Sequence, residues 1–215
     1  MITQPILVVG MHRSGTSALT GLLQLMGAHV GEAAALLPAS PDNPKGFFER
    51  NDVLATNQAI MRQMGCNWHS TEAWDERNFV QLDASVNASM RTIVHTLSKH
   101  PVWVMKDPRF CFTLPCWLNY IQNPIILTTE RDPYEIADSL TRRNGFTQEA
   151  GLALAARYET QLQNNTQNLQ TILCRFEHLM HDPLGMVDYL LESIPLLTRP
   201  NDGTVLSFIQ YPPRP

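Results

Sequence analysis

Residues 5–27, "PILVVGMHRSGTSALTGLLQLMG", join a short apolar run to a helical pattern through a turn with glycines at 10 and 15. A run this short and apolar at every position reads as a strand buried on both faces, which implies a parallel sheet covered by helices. Two glycines at that spacing allow a compound turn straight into a helix, its backbone N–H groups curled around an anion at the helix N-terminus. The outline is that of a nucleotide-binding P-loop with one change: Thr16, followed by Ser17, stands where an ATP-hydrolysing loop carries lysine. That lysine bridges the β- and γ-phosphates while the next hydroxyl holds magnesium. The loop is therefore expected to hold a 5'-phosphate-type anion through Ser14, Gly15, Thr16 and Ser17, with Arg13 placing a guanidinium beside it and no metal required.

The rest of the chain repeats the strand–helix alternation. Further buried strands are expected at 102–105 ("VWVM"), 124–129 ("PIILTT") and 171–176 ("TILCRF"), and the periodicity predicts helices over 15–27, 46–64, about 76–99, 109–121 with a bend at Pro115, 133–143, 147–168 and 183–193. The expected architecture is a three-layer α/β/α domain with a central parallel sheet, of the P-loop nucleotide-binding type. With 215 residues and 44% apolar content the chain suits one such domain, read as 1–197, followed by a loosely ordered tail over 198–215 that ends "YPPRP".

Composition narrows the partners. A net charge of −4 argues against the broad basic face that nucleic-acid binding needs. The opening "MITQPILVVG" lacks a basic region and its apolar run is too short for a membrane span, so the protein is expected in the cytoplasm. Cys66, Cys111, Cys116 and Cys174 form no CxxC pair or His-containing ligand cluster, and buried free thiols are expected. Against this acidic background the cations follow the strands: Arg13 after the first, Lys106 and Arg109 after the second, Arg131 after the third, and Arg175 at the end of the fourth. Ligands of open parallel sheets bind at the carboxyl ends of the strands, so these charges are expected to gather around a polyanion of modest size.

At these residues the chain resembles the sulfotransferases that use 3'-phosphoadenosine 5'-phosphosulfate (PAPS), especially bacterial members with an "MHRSGTS" loop. "RSGTS" at 13–17 is similar to the family's 5'-phosphosulfate loop, and "RDPYEIADS", with Arg131 and Ser139 eight residues apart, to its 3'-phosphate motif. "NPKGFFE" at 43–49, "KDPR" at 106–109 and "RFEHLMHDP" at 175–183 resemble further segments in the same order, and the similarity spans about residues 5–190. The resemblance implies PAPS as co-substrate, no metal, transfer of a sulfuryl group to a small-molecule or glycan hydroxyl (or amine), and Arg131 and Ser139 on the 3'-phosphate. Two other classes stay open, a P-loop kinase or nucleotide triphosphatase and a non-catalytic nucleotide-binding partner protein.

Sulfuryl transfer requires a base for the acceptor's proton and cations for the leaving 5'-phosphate oxygen. Lys106 matches a strand-end lysine that related sulfotransferases place beside the sulfonate, and with Arg13 it is the candidate for the leaving group. The base is open. Cytosolic relatives use a histidine two residues after that lysine, where Pro108 stands here. Other branches use a glutamate after the first helix, which leaves Glu49 and Glu32. Glu49 is preferred because it opens a helix pattern beside apolar Phe47 and Phe48, although a charge complementing a helix N-terminus would look the same. His12 and Asp107 are further alternatives. The glycine-rich C-terminal segment that cytosolic relatives set on the 3'-phosphate is absent, and Phe176 stands where tyrosine is common.

Overall fold

The first strand, β1 (Gln4–Val9), is paired on both sides: with β2 (Val102–Lys106) on one edge and β3 (Ile125–Glu130) on the other, with β4 (Thr171–Arg175) beyond β3. In the computed structural model, which describes residues 3–41, 43–77 and 82–209, all three pairings are parallel and the strand order is β2-β1-β3-β4. Alternation along β1 divides its side chains between two cores. Leu7 and Val9 face one, Ile6 and Val8 the other. The first core is filled by α2 (Asn51–Gln63), α3 (Ala84–Leu97), α4 (Phe110–Leu118), α5 (Pro133–Asn144) and α6 (Gln148–Thr166); the second by α1 (Thr16–Leu25), α7 (Phe176–His181), α8 (Pro183–Ser193) and α9 (Asp202–Ile209). The molecule is thus the expected three-layer α/β/α with a central parallel sheet.

Local chemistry sets the helix ends near the sheet's carboxyl edge. Asp132 caps α5 by accepting from the Tyr134 N–H at 2.7 Å, with Pro133 in the first turn, and Gly145 ends the helix at φ 73°. Asp182 caps α8 in the same way, accepting from Gly185 N–H at 2.9 Å. Pro115 lies inside α4 and cannot donate to the carbonyl one turn back, that of Cys111. Asn165 of α6 reaches across and donates to that oxygen at 2.8 Å, so the defect is compensated by a neighbouring helix. Buried Asn57 accepts from both Thr113 Oγ1 and Trp117 Nε1 at 2.8 Å, tying α2 to α4.

Four expectations are corrected. The helix read over 46–64 begins only at Asn51, and residues 46–50 form a turn and an extended approach, with Gly46 at φ 97° and Phe48 at φ 55°. The strand read to 176 stops at Arg175, because Phe176 opens the short helix α7. The tail is not loose over 202–209: α9 buries Val205 and Ile209 beside α1. An eight-residue segment is too short to hold a helix by itself, so contact with α1 stabilises it. The rest of that tail, 210–215, lies outside the described residues, as do residues 78–81 of the helix pattern read over 76–99, where the helix α3 begins only at Ala84.

Candidate active site

The turn after β1 is shaped by two close approaches. A Cβ on Gly10 would sit 2.0 Å from Thr129 Oγ1, and one on Gly15 would sit 2.4 Å from the Phe176 ring. Gly15 also has φ 98°, a conformation L side chains rarely adopt. Gly15 is the N-cap of α1 and no side chain caps that end, so the first-turn N–H groups face the cleft above the loop. Ser14 departs from expectation. Its N–H and its hydroxyl both donate to the Met11 carbonyl, at 3.1 and 2.7 Å, and its Oγ lies 2.6 Å from Thr129 Oγ1. Buried beneath the turn, Ser14 braces it, while Arg13, Gly15, Thr16 and Ser17 line the cleft. Gly15→Ala is expected to cost about 1–3 kcal/mol from backbone strain alone. At about 2–4 °C per kcal/mol, a thermal melt should fall by several degrees; an unchanged melting temperature would show that the loop can relax.

The side of the site that carries Arg131 and Ser139 is assembled through the loop. Arg131 donates to the Arg13 carbonyl at 2.8 Å and to Glu135 Oε2 at 3.0 Å, and its guanidinium lies 4.4 Å over the Phe176 ring. Arg13 Nε donates to Ser139 Oγ at 2.8 Å, so the loop arginine bridges β1 to α5. Arg131 and Ser139, which the family resemblance puts on one anion, meet around Arg13, whose own backbone is left-handed at φ 70°. The three line one cavity together with Arg142, Phe176 and Met180.

On the opposite flank a buried ionic cluster closes the site. Lys106, at the end of β2, is 2% exposed and donates to Glu49 Oε1 at 2.7 Å; it also reaches Ser17 Oγ at 3.3 Å. Arg109 bonds Asp107 at 2.9 Å and lies 3.9 Å from Glu49 Oε2, and burial opposes its charge while Asp107 and Glu49 favour it, with a net rise in its proton affinity. The partner of Lys106 is therefore Glu49, not its sequence neighbour Asp107. Glu49 is no helix-start charge: Arg50 is the N-cap of α2, and Glu49 precedes it in the extended approach, with its carbonyl accepting from Leu37 N–H at 2.7 Å.

The alternative bases separate cleanly in space. Asp107 is fully buried against Arg109 and does not line the cleft. Glu32 caps a short 3-10 turn at Ala33–Ala35 and is exposed outside the site. His12 does line it, packed against Trp68 and Tyr158 at 4.7 and 5.7 Å. Burial first, then the positive charges of Arg109, Lys106, Arg143 and Arg13, hold its proton affinity well below the usual value, so it is a neutral imidazole near pH 7. Arg175, counted among the strand-end cations, is exposed and paired with Glu130 at 3.0 Å.

The loop cleft encloses about 740 Å³ including its open mouth. Several of its lining residues were not among the candidate site residues read from the sequence. Arg143 lies 5.4 Å over the Phe47 ring, and Asn43 donates to Ser17 Oγ at 3.2 Å. Phe208 of α9 lines the mouth, its carbonyl accepting from Lys45, whose proton affinity is lowered by desolvation. Phe208 could have been flagged only by recognising α9, whose eight residues carry too little periodicity. Among the described residues no group of three or more His, Cys, Asp or Glu could hold a metal, and no helix is long and apolar enough to cross a membrane.

Comparison with known proteins agrees with this geometry. No curated protein matches the chain. Among solved structures, a sulfotransferase of Mycobacterium tuberculosis H37Rv is similar at 19% identity and TM-score 0.52, covering 97% of this chain and 71% of its own. A sulfotransferase of Mycobacterium avium is similar at 14% identity and TM-score 0.55, covering 97% and 67%. A sulfotransferase domain from the curacin biosynthetic pathway is similar at 14% identity and TM-score 0.53, covering 99% and 80%. At these identities the likeness speaks for the fold. The model of the sulfotransferase family matches residues 5–197, nearly the whole sheet and both flanks of the cleft, and on that match the chain belongs to the sulfotransferase family.

Proposed function

We propose that the protein transfers a sulfuryl group from PAPS to a hydroxyl or amine acceptor by in-line displacement, releasing adenosine 3',5'-bisphosphate, and that it does so in the cytoplasm on a small-molecule or glycan acceptor. The observation that carries this reading is the single buried chain of contacts Glu49–Lys106–Ser17, which ties a carboxylate and an ammonium to the phosphate-binding loop. The residues present fit the nucleotide. The uncapped start of α1 and Arg13 suit its 5' side, and Arg131 with Ser139 suit the 3'-phosphate.

PAPS would supply the sulfuryl group, and adenosine 3',5'-bisphosphate would depart with the bridging 5'-phosphate oxygen. As the acceptor oxygen bonds to sulfur and the bond from sulfur to the 5'-phosphate oxygen breaks, Glu49 takes the acceptor's proton. Lys106 and Arg13 offset the charge growing on the departing oxygen. Lys106 has a second task, because its bond to Oε1 aims the carboxylate of Glu49. Thr16 occupies the loop position from which lysine would bridge a γ-phosphate.

Calorimetry tests the nucleotide. Adenosine 3',5'-bisphosphate should bind at least about tenfold more tightly than Mg-ATP, since one extra charged contact is worth about 1.5–3 kcal/mol. Equal or tighter binding of Mg-ATP would sink the proposal in favour of a kinase or triphosphatase. The transfer is tested by mass spectrometry, looking for the added mass of SO3 across pooled hydroxyl and amine acceptors incubated with PAPS.

A further inference from the structure

Behind Glu49 lies a second cavity of about 250 Å³, walled by Leu37, Phe47, Leu54, Trp68 and Leu140. It shares His12, Phe47, Glu49 and Arg143 with the loop cleft, so these four residues stand where the two spaces adjoin. Its size, just below the range of drug-sized ligand pockets, admits only a small organic molecule. Two buried nitrogens on its lining, His12 Nε2 and Arg109 Nε, have no hydrogen-bond partner among the described residues, and Arg109 is only 6% exposed.

The wall chemistry narrows that ligand. The aliphatic and aromatic residues favour an apolar body, and Gln58 and Asn144 are the neutral amides on the lining, too few to match the many hydroxyls of a sugar. The field is positive. Besides burial, Arg109, Lys106, Arg143 and Arg13 all lower the proton affinity of His12, and the one carboxylate among the described lining residues, Glu49, already accepts from Lys106. Arg143 projects from the last turn of α5 over the Phe47 ring at the junction. An acceptor bearing its own negative charge must approach a polyanionic nucleotide, and a guanidinium at that junction offsets the repulsion.

Building on the sulfotransferase reading, we infer that this cavity is the acceptor subsite, that it takes a small hydroxyl compound with an apolar body and a carboxylate, and that Arg143 selects for the carboxylate. The hydroxyl lies toward Glu49, the body against Leu54, Trp68 and Leu140, and the carboxylate toward Arg143.

The test uses two matched pairs, 4-hydroxyphenylacetate against 4-(2-hydroxyethyl)phenol and 3-hydroxyoctanoate against octane-1,3-diol, with glucose as a polar comparison. Binding to the protein saturated with adenosine 3',5'-bisphosphate is measured by calorimetry, and transfer from PAPS as kcat/KM. The carboxylate member of at least one pair should be favoured about tenfold or more, as expected for a charge-assisted contact. Arg143→Gln should reduce that ratio to about threefold or less. Leu54→Trp, which fills the cavity, should weaken acceptor binding about tenfold while bisphosphate affinity holds. The inference is overturned by a lack of carboxylate preference in both pairs, by a preference that survives Arg143→Gln, by acceptor binding indifferent to Leu54→Trp, or by better use of glucose. If the bisphosphate itself does not bind, the sulfotransferase reading fails first, and that failure is separately visible.

Discussion

Replacing Glu49 by glutamine is expected to lower kcat by about a hundredfold or more, equivalent to about 2.7 kcal/mol of transition-state stabilisation, while adenosine 3',5'-bisphosphate binds within a few-fold of the parent. The amide keeps an oxygen for Lys106 but cannot take a proton. Lys106→Ala should cost a similar factor by a different route, since it removes charge from the leaving oxygen and releases Glu49 from its fixed direction. The pH profile separates the two. The rising limb of kcat, which reports the base losing its own proton, should vanish in Glu49→Gln and persist in Lys106→Ala. Because Lys106 and Glu49 are 2% and 7% exposed, removing one partner strands a buried charge, with a stability penalty on the order of 3–5 kcal/mol. Melting temperatures therefore have to be recorded beside the rates, and the Glu49→Gln/Lys106→Met double variant should recover part of the lost stability without recovering activity. Near-normal turnover with an intact rising limb in Glu49→Gln would reduce Glu49 to a clamp for Lys106. The next variant would then be at His12, which lines the same cleft, and not at Glu32, which lies outside it.

Arg131→Ala should weaken adenosine 3',5'-bisphosphate by about 2–4 kcal/mol, the loss of a charged, two-pronged contact to phosphate. Its effect on adenosine 5'-phosphate should be smaller but not zero. The reason is structural: Arg131 also donates to the Arg13 carbonyl at 2.8 Å and so supports the loop that holds the 5' side. Arg131→Lys, which keeps the charge but not the fork, should restore little of the difference between the two ligands. Equal losses for both would mean that Arg131 serves only to hold the loop.

The reach of sequence reasoning differs from residue to residue for identifiable reasons. Ser14 and Thr16 stand two apart in one short turn, and nothing in their types says that one lines the cleft and the other faces the core. The direction is decided by Thr129 on a neighbouring strand, 115 residues away in sequence. Glu49 was legible as a candidate carboxylate, yet its partner was not, because Lys106 comes from a strand 57 residues later. Its assignment to the start of a helix pattern failed for a local reason. Gly46 and Phe48 both take positive φ, which delays the helix to Asn51 although the apolar spacing continues back through Phe47. Arg109 and Arg175 share a strand-end position with Lys106 and Arg131, but each is ion-paired with a nearby carboxylate, Asp107 and Glu130 respectively.

What the sequence by itself determined is whatever depends on backbone requirements and short periods. Glycines at 10 and 15 between an apolar strand and a helix force the loop, four short apolar runs separated by helical patterns force a parallel α/β sheet, and Asp-Pro pairs start α5 and α8. These rest on φ/ψ restrictions and side-chain alternation, which act over a few residues and are written in residue type. What only the tertiary structure decided is side-chain direction and distant company: Arg13 bonded to Ser139 across 126 residues, Lys106 to Glu49, α9 stabilised against α1, and a second cavity behind the carboxylate. Such contacts are chosen by packing and desolvation once the layers have closed, when a buried charge must take whichever opposite charge the fold has brought within reach.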